Sequence, residues 1–295
     1  MKKKFFLRTI FLFSTIILFS SCTCGRIRKP PILGIYKEFR PVKKKVYIVP
    51  YSMNLFSLYT LYHQKNTQKV KEYINWYFNH LNYPDKYGIT GSIYDYIIST
   101  DGKEKTTETF DSIDSYSGTF LLLLEKYYEK TKDEFLIRKN RKKIEDIAYT
   151  IVYLQDKDGL TTPSPDIKVK YLMDNCEAFL GLKSFLNLSE KLNWKIPPLF
   201  EEAVKLLQNE ILNKFYDEKN KNFYWAISKE IKYKSNWDIF YPDAYAQLFP
   251  IFSKVLENEK IKKHLWTEFM KRYKTKINSF SPEQKIIIKL TEREI

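Results

Sequence analysis

The chain has 295 residues, 44% apolar and 17% aromatic, and its 50 Lys and Arg against 35 Asp and Glu give a formal charge of +15. With 23 Tyr and 21 Phe beside only 8 Gly it is neither disordered nor of low complexity, and three Cys cannot staple a protein of this size. The charge would indicate a nucleic-acid partner only if it covered the body of the molecule.

It does not. Residues 1–21 carry Lys2, Lys3, Lys4 and Arg8 without an acid, contributing +4. Residues 22–45 carry Arg26, Arg28, Lys29, Lys37, Arg40, Lys43, Lys44 and Lys45 against Glu38, a further +7. Residues 46–295 are left with +4 of the +15, so no nucleic-acid partner is expected.

The basic start and the apolar run 10–19 read as the n- and h-regions of an export signal. The run is too short to span a bilayer, and Ser20 and Ser21 are the small residues a signal peptidase requires. The string L-F-S-S-C (18–22) resembles the lipobox of bacterial lipoproteins, with Phe19 where Leu is usual. The resemblance implies lipidation of Cys22, which would become the mature N-terminus; the alternative is an ordinary secretory signal. Both place the mature chain outside the cytoplasm, and lipidation would anchor it to a bacterial membrane. Residues 22–45, with Pro30, Pro31 and Pro41, read as a basic tether, either lying along anionic headgroups or simply solvated. The expected plan is signal peptide 1–21, tether 22–45 and folded domain 46–295.

Beyond residue 50 two kinds of helix alternate. Segments 53–62, 116–128, 176–188 and 241–256 are apolar nearly all round, which describes helices buried on every side. Each is followed by an amphipathic helix, whose apolar stripes are Val70, Tyr73, Ile74 and Tyr77; Ile144, Ile147, Ala148 and Ile151; Phe200, Ala203, Val204 and Leu207; and Ile261, Leu265 and Phe269. Asn54, Ser115, Asn175 and Asp243 mark the starts of the buried helices at intervals of 61, 60 and 68, an internal repeat of helical hairpins. Pro250 should kink the fourth buried helix. Loops within hairpins are short. Those between hairpins (83–113, 156–172 and 216–240) are long, carry turn signals and β-rich flanks, and should gather on one face. The expected fold is all-α, a ring of hairpins with short β-hairpins in the inter-hairpin loops.

Polar residues break the apolar pattern where the buried helices begin: P-Y-S-M-N (50–54), D-S-I-D-S-Y (111–116), Y-L-M-D-N-C-E (171–177) and S-N-W-D-I-F-Y-P-D-A (235–244). Converging carboxylates and aromatic rings suit a carbohydrate: rings stack on sugar faces, and two carboxylates can act as general acid and base. On this reading Asp114 with Asp238 or Asp243 would be catalytic, supported by Asp111 and Asp174. Tyr51, Tyr116, Tyr171, Trp237 and Tyr241 would contact sugar rings, and Asn54, Asn175 and Glu177 would bind hydroxyls. The competing explanation is that these polar residues are helix caps.

The hairpin repeat together with D-S-I-D-S-Y-S-G-T-F (111–120), Y-L-M-D-N-C-E-A-F-L-G-L (171–182) and W-D-I-F-Y-P-D-A-Y-A-Q-L (237–248) resembles the six-hairpin glycosidase superfamily of (α/α) toroids over residues 46–275. The resemblance implies a poly- or oligosaccharide ligand, hydrolysis of the inverting type, and a role for Asp114 at the active centre. Two departures stand out. Four hairpins are clear, with 281–294 at most a fragment of a fifth, and P-Y-S-M-N lacks the Glu usual as general acid on an early helix. A non-catalytic glycan-binding or envelope scaffold lipoprotein is therefore the alternative. No nucleotide, metalloprotease or serine-hydrolase motif is present, so neither a cofactor nor a metal is expected. His63, His80 and His264 lack metal-ligand spacing, and Cys176 reads as a core thiol.

Overall fold

Residues 32–295, apart from Lys65, are described in the computed structural model of the chain. The expected signal peptide 1–21, Cys22 and residues 23–31 of the tether lie outside the described residues. No helix among the described residues is long and apolar enough to cross a membrane.

The second part of the expected tether is folded. Helix α1 (Leu33–Phe39) and strand β1 (Lys45–Ile48) precede residue 50, and Ile32, Leu33, Ile35, Val46 and Ile48 are buried in the core. Alternation of Val46 and Ile48 with exposed Lys45 and Tyr47 is the period-2 pattern of a half-buried strand, which the surrounding lysines obscure. Glu38 pairs with Lys69 and Phe39 stacks on Phe56, fixing α1 against the first hairpin.

That hairpin pairs α2 (Pro50–Tyr59), continued by a π-helical turn Thr60–Gln64, with α3 (Thr67–Asn79), which Asn66 caps through Lys69 N–H. Pro50 opens α2, where its missing N–H costs no intrahelical bond. Strands β2 (Tyr96–Ser99) and β3 (Glu104–Thr106) follow in the long loop and join β1 in an antiparallel sheet of order β1-β2-β3, with Val46 opposite Ile98. The second hairpin comprises α4 (Ile113–Thr131), short α5 (Glu134–Lys139) and α6 (Arg141–Leu154). After β4 (Val169–Tyr171) the third pairs α7 (Leu172–Lys191) with α8 (Leu199–Glu210), extended by a π-helical turn Ile211–Phe215. Strands β5 (Tyr216–Asp217) and β6 (Asn222–Phe223) form a hairpin, while β7 (Ala226–Ser228) and β8 (Ile231–Tyr233) extend β4 into a sheet bridging two loops.

The fourth buried segment is not one helix. A π-helical turn Phe240–Ala244, with Tyr241 in extended conformation, leads to α9 (Phe249–Phe252), and the helix stops at Ser253. Pro242 and Pro250 each lack the N–H a continuous helix would need, and Pro250 is accommodated in the first turn of α9. The outer partner is α10 (Glu259–Tyr273), capped by Asn258.

A fifth inner helix completes the ring. Helix α11 (Pro282–Glu292) starts with a capping box between Ser281 and Gln284 and buries Ile286, Ile287 and Ile288. It packs against both α9 and α2, so the inner elements α2, α4, α7, α9 and α11 close on themselves inside α1, α3, α6, α8 and α10. Among the described residues the toroid thus has five inner helices rather than four.

Two inner helices meet at backbone distance. A Cβ on Gly118 of α4 would lie 2.3 Å from the Glu177 carbonyl oxygen, and one on Gly181 of α7 would lie 2.3 Å from Gly118 Cα. Asn54 ties α2 to its neighbours: its Nδ2 donates to Thr119 Oγ1 at 2.9 Å and to the Tyr116 carbonyl at 3.0 Å, and Tyr73 OH donates to its Oδ1 at 2.6 Å.

Candidate active site

A cavity of about 390 Å³ opens where the inner helices begin. The start of α2 contributes Tyr51 and Ser52, α4 and its approach contribute Asp111, Ser112, Ser115 and Tyr116, and α7 contributes Asp174 and Glu177. Tyr241 and Tyr245 enter from the broken fourth segment, and Glu283 and Gln284 from α11. A second lobe of about 310 Å³ shares Asp111, Ser112, Asp174 and Tyr241 and adds Tyr171 and Trp225. The two lobes form one cleft, reached by residues from all three long loops.

Its walls are acidic. Among the described residues four carboxyl groups (Asp111, Asp174, Glu177 and Glu283) face one cation, Arg40, and no histidine lines either lobe. Arg40 is already committed, with Nη2 2.7 Å from Glu283 Oε1. Helix N-termini pointing at the cleft favour negative charge there. Burial opposes them, and burial prevails.

Glu177 is 2% exposed, and desolvation pushes its carboxyl up to about 8, although the hydroxyls of Ser115 and then Tyr51 act in the opposite direction. Ser115 Oγ donates to Glu177 Oε2, while Oε1 is buried without a partner. Asp174 is raised well above the usual carboxylate range by desolvation, then by the charges of Asp114 and Glu177; its hydrogen bond to Ser112 opposes them. Desolvation also raises Asp114, against donors Ser112, Thr161 and Ser115 N–H. Burial and the neighbouring Glu177 hold the Tyr51 and Tyr245 hydroxyls well above their usual values.

The cleft gathers Tyr51, Asp111, Tyr116, Tyr171, Asp174, Glu177 and Tyr241 from among the expected site residues. Tyr241 is 59% exposed between the two lobes, and the planes of Tyr171 and Trp225 lie 15° apart with centroids 6.3 Å apart. Tyr116 is buried in the cavity wall, and its hydroxyl donates to Asp95 Oδ1 at 3.0 Å.

Other expected residues stand elsewhere. Asp114 is fully buried behind the wall, accepting from Thr161 Oγ1 at 2.6 Å and from Ser115 N–H at 2.9 Å. Asn54 is spent on the helix contacts described above. Asn175 clamps the preceding loop, with Oδ1 accepting from Thr161 N–H at 2.8 Å and Nδ2 donating to the Tyr171 carbonyl. Asp238 has 85% of its side chain exposed and meets Arg272 at 3.3 Å, and Trp237 lies under that same guanidinium. Asp243 is buried and accepts from Asn236 N–H at 2.8 Å. The reason for these last three is shared. Pro242 and extended Tyr241 break the fourth segment, so the string 235–244 is not a helix start, and of it Tyr241 and Pro242 line the cleft.

Capping does not account for the polar helix starts. Ser112 occupies the N-cap of α4 but makes no capping bond, and α2 and α7 also start without a side-chain cap. Instead Ser112 Oγ lies 2.6 Å from Asp114 Oδ1 and 2.9 Å from Asp174 Oδ2.

Arg40, Glu283, Gln284 and Trp225 join the cleft without being among the expected residues. S-P-E-Q (281–284) carries a readable signal, a capping box with Pro in the first turn, which announces a fifth inner helix with its acid. Arg40 carries none, being one cation among many.

No family model and no curated protein matches the chain. Among solved structures it is similar to a GH63 mannosylglycerate hydrolase from Thermus thermophilus in complex with glucose, with a TM-score of 0.61 and 12% identity, covering 84% of this chain and 76% of that one. A cellobiose 2-epimerase from Bacillus thermoamylovorans matches with a TM-score of 0.52 and 11% identity, covering 86% and 74%. A rhamnosidase from Klebsiella oxytoca with rhamnose bound matches with 0.53 and 12%, covering 83% of this chain and 46% of that one, so the chain spans about half the rhamnosidase's length. At such identities the likeness is one of fold: the chain has the (α/α) toroid fold of these sugar-processing enzymes.

Proposed function

We propose that the protein is a carbohydrate-active enzyme that hydrolyses a glycosidic bond of a poly- or oligosaccharide in the acidic cleft. The observation that carries this reading is Glu177, a buried carboxyl held at about 8 by desolvation in the wall of a cleft that also presents Asp111. A group protonated at neutral pH and facing a ligand cavity is a general acid in waiting. Glu177 donates its proton to the leaving glycosidic oxygen, and exposed Asp111 takes a proton from the attacking water. The assignment departs from the expected catalytic set of Asp114 with Asp238 or Asp243, since none of these three lines the cavity. Tyr241, Tyr171 and Trp225 supply aromatic faces for sugar rings. The toroid likeness to enzymes that hydrolyse or epimerise sugars supports the ligand class.

The test is a hydrolysis screen over oligosaccharides with wild type, Glu177→Gln and Asp111→Asn, reading product anomers by NMR. Each variant should lose about 10²–10⁴-fold in kcat, and the first-formed product should have inverted configuration. Wild-type activity retained in both variants removes the assignment. Binding without turnover in wild type instead makes the protein a non-catalytic glycan receptor.

We further infer from the lipobox-like string that the chain is exported and lipidated on Cys22. Cys22→Ala should move the protein from the membrane to the soluble fraction; membrane retention by the variant would refute lipidation.

A further inference from the structure

Ser112 has one hydroxyl proton and two carboxyl neighbours. Its Oγ lies within hydrogen-bond distance of Asp114 Oδ1 (2.6 Å) and Asp174 Oδ2 (2.9 Å). The hydroxyl can donate to only one of them, so at the other contact the carboxyl itself supplies the hydrogen. The trio therefore holds at least one carboxyl proton.

The surroundings decide where it rests. Asp114 and Asp174 each lie in the first turn of an inner helix, so the helix ends do not separate them, but Asp114 receives two further donors, Thr161 Oγ1 at 2.6 Å and Ser115 N–H at 2.9 Å. Thr161 is itself fixed by Asn175, whose Oδ1 accepts its N–H. Among the described residues Asp174 has no side-chain donor other than Ser112, and the charges acting on it most strongly are those of Asp114, Glu177 and Asp111, all acidic, while Arg40, the cation lining its lobe, is paired with Glu283. Charge is best accommodated on Asp114, and the proton on Asp174.

We propose that Ser112 and Asp114 form a positioning pair that keeps Asp174 a neutral carboxylic acid, so that its group enters the cleft as a hydrogen-bond donor toward an oxygen acceptor of the ligand, such as a sugar hydroxyl or ring oxygen. The ligand class rests on the reading above; the protonation circuit does not. Asp174 points its acid into both lobes, whereas Asp114 touches no ligand and acts only through Ser112. No covalent bond is made or broken. This arrangement gives a purpose to the otherwise costly burial of Asp114, a carboxylate without a cation among its bonded neighbours.

The test is a carboxyl ¹³C NMR titration of the full chain with labelled Asp, in the absence of any sugar. The Asp174 resonance is identified by its loss in Asp174→Asn. Wild-type Asp174 should remain neutral through pH 7. Asp114→Asn, which turns an acceptor into a donor toward Ser112 and removes a charge, should move the Asp174 transition down by at least one pH unit. Thr161→Val, which weakens charge on Asp114, should move it the same way and provides a second variant if the first does not fold. Ser112→Thr, keeping the hydroxyl, should titrate as wild type. Asp174 ionised at pH 7 in wild type, or a transition unmoved in a folded Asp114→Asn or Thr161→Val, overturns the proposal. Because no turnover is measured, failure of the hydrolase reading would show separately, as wild type inactive on every glycan with this titration unchanged.

Discussion

Replacing Glu177 by Gln should stabilise the protein, and increasingly so as pH rises. The folded state holds this carboxyl at about 8, against 4.5 for the free side chain. Between those values the folded chain retains a proton that the unfolded chain has released, so wild-type stability falls with rising pH. Each unit of difference is worth about 1.36 kcal/mol, which makes the accumulated loss about 0.8 kcal/mol at pH 5 and about 4.4 kcal/mol at pH 8. Gln keeps an oxygen for the Ser115 hydroxyl and has no proton to lose. The variant should therefore gain about 3.5 kcal/mol relative to wild type between pH 5 and pH 8. Urea unfolding of both proteins at the two pH values measures this directly. A stability difference that stays constant within about 1 kcal/mol would show that Glu177 ionises normally in the folded state, and would remove it as a general acid.

Other parts of the molecule give equally definite expectations. Gly118→Ala places a methyl group 2.3 Å from the Glu177 carbonyl oxygen, so α4 and α7 have to separate; a loss on the order of 3 kcal/mol in urea unfolding is expected, and an unchanged midpoint would contradict the close approach. Asn54→Ala leaves the Tyr73 hydroxyl, the Thr119 hydroxyl and the Tyr116 carbonyl short of a partner in the core, for a cost of about 2–4 kcal/mol by the same assay. Asp238→Asn should leave stability within about 0.5 kcal/mol and turnover unaltered, because its exposed pair with Arg272 lies outside the cleft. A large activity loss in Asp238→Asn would return the fourth string to the site.

The alternation of all-apolar and amphipathic segments is sufficient to place α2, α4 and α7 inside the ring and α3, α6, α8 and α10 outside it, since burial on every side leaves a plain composition signature. What the pattern does not show is continuity. The apolar run 241–256 reads as a helix by composition, yet its two prolines divide it, and with the helix start go Asp238, Asp243 and Trp237 as site residues. Helix α11 is short, and its closing contact with α2 joins residues far apart in sequence, so the closure is visible only in three dimensions. Similarly, the basic residues around α1 and β1 mask a few well-spaced apolar side chains that belong to the core.

At the site, the clustering of acids is legible in the sequence and their ranking is not. Asp111, Asp114, Asp174 and Glu177 stand near two helix starts, and all four do lie together. Depth separates their chemistry. Asp114 falls between Ser112 and Ser115, which line the cavity, and is itself fully buried behind them, whereas Glu177, one helical turn after Asp174, lines it. Desolvation then assigns the proton to Glu177, and desolvation is a property of the packed ring rather than of any local string.

On the proposed function, Glu177 delivers a proton to a glycosidic oxygen in this cleft. This step is tested most directly by reducing-end release from an oligosaccharide panel, with wild type and Glu177→Gln assayed side by side across pH. Wild type should release reducing ends from at least one glycan, with an alkaline limb near the acidity of Glu177, and the variant should lose about 10²–10⁴-fold. Equal release by the two proteins, with the same alkaline limb, would contradict this role.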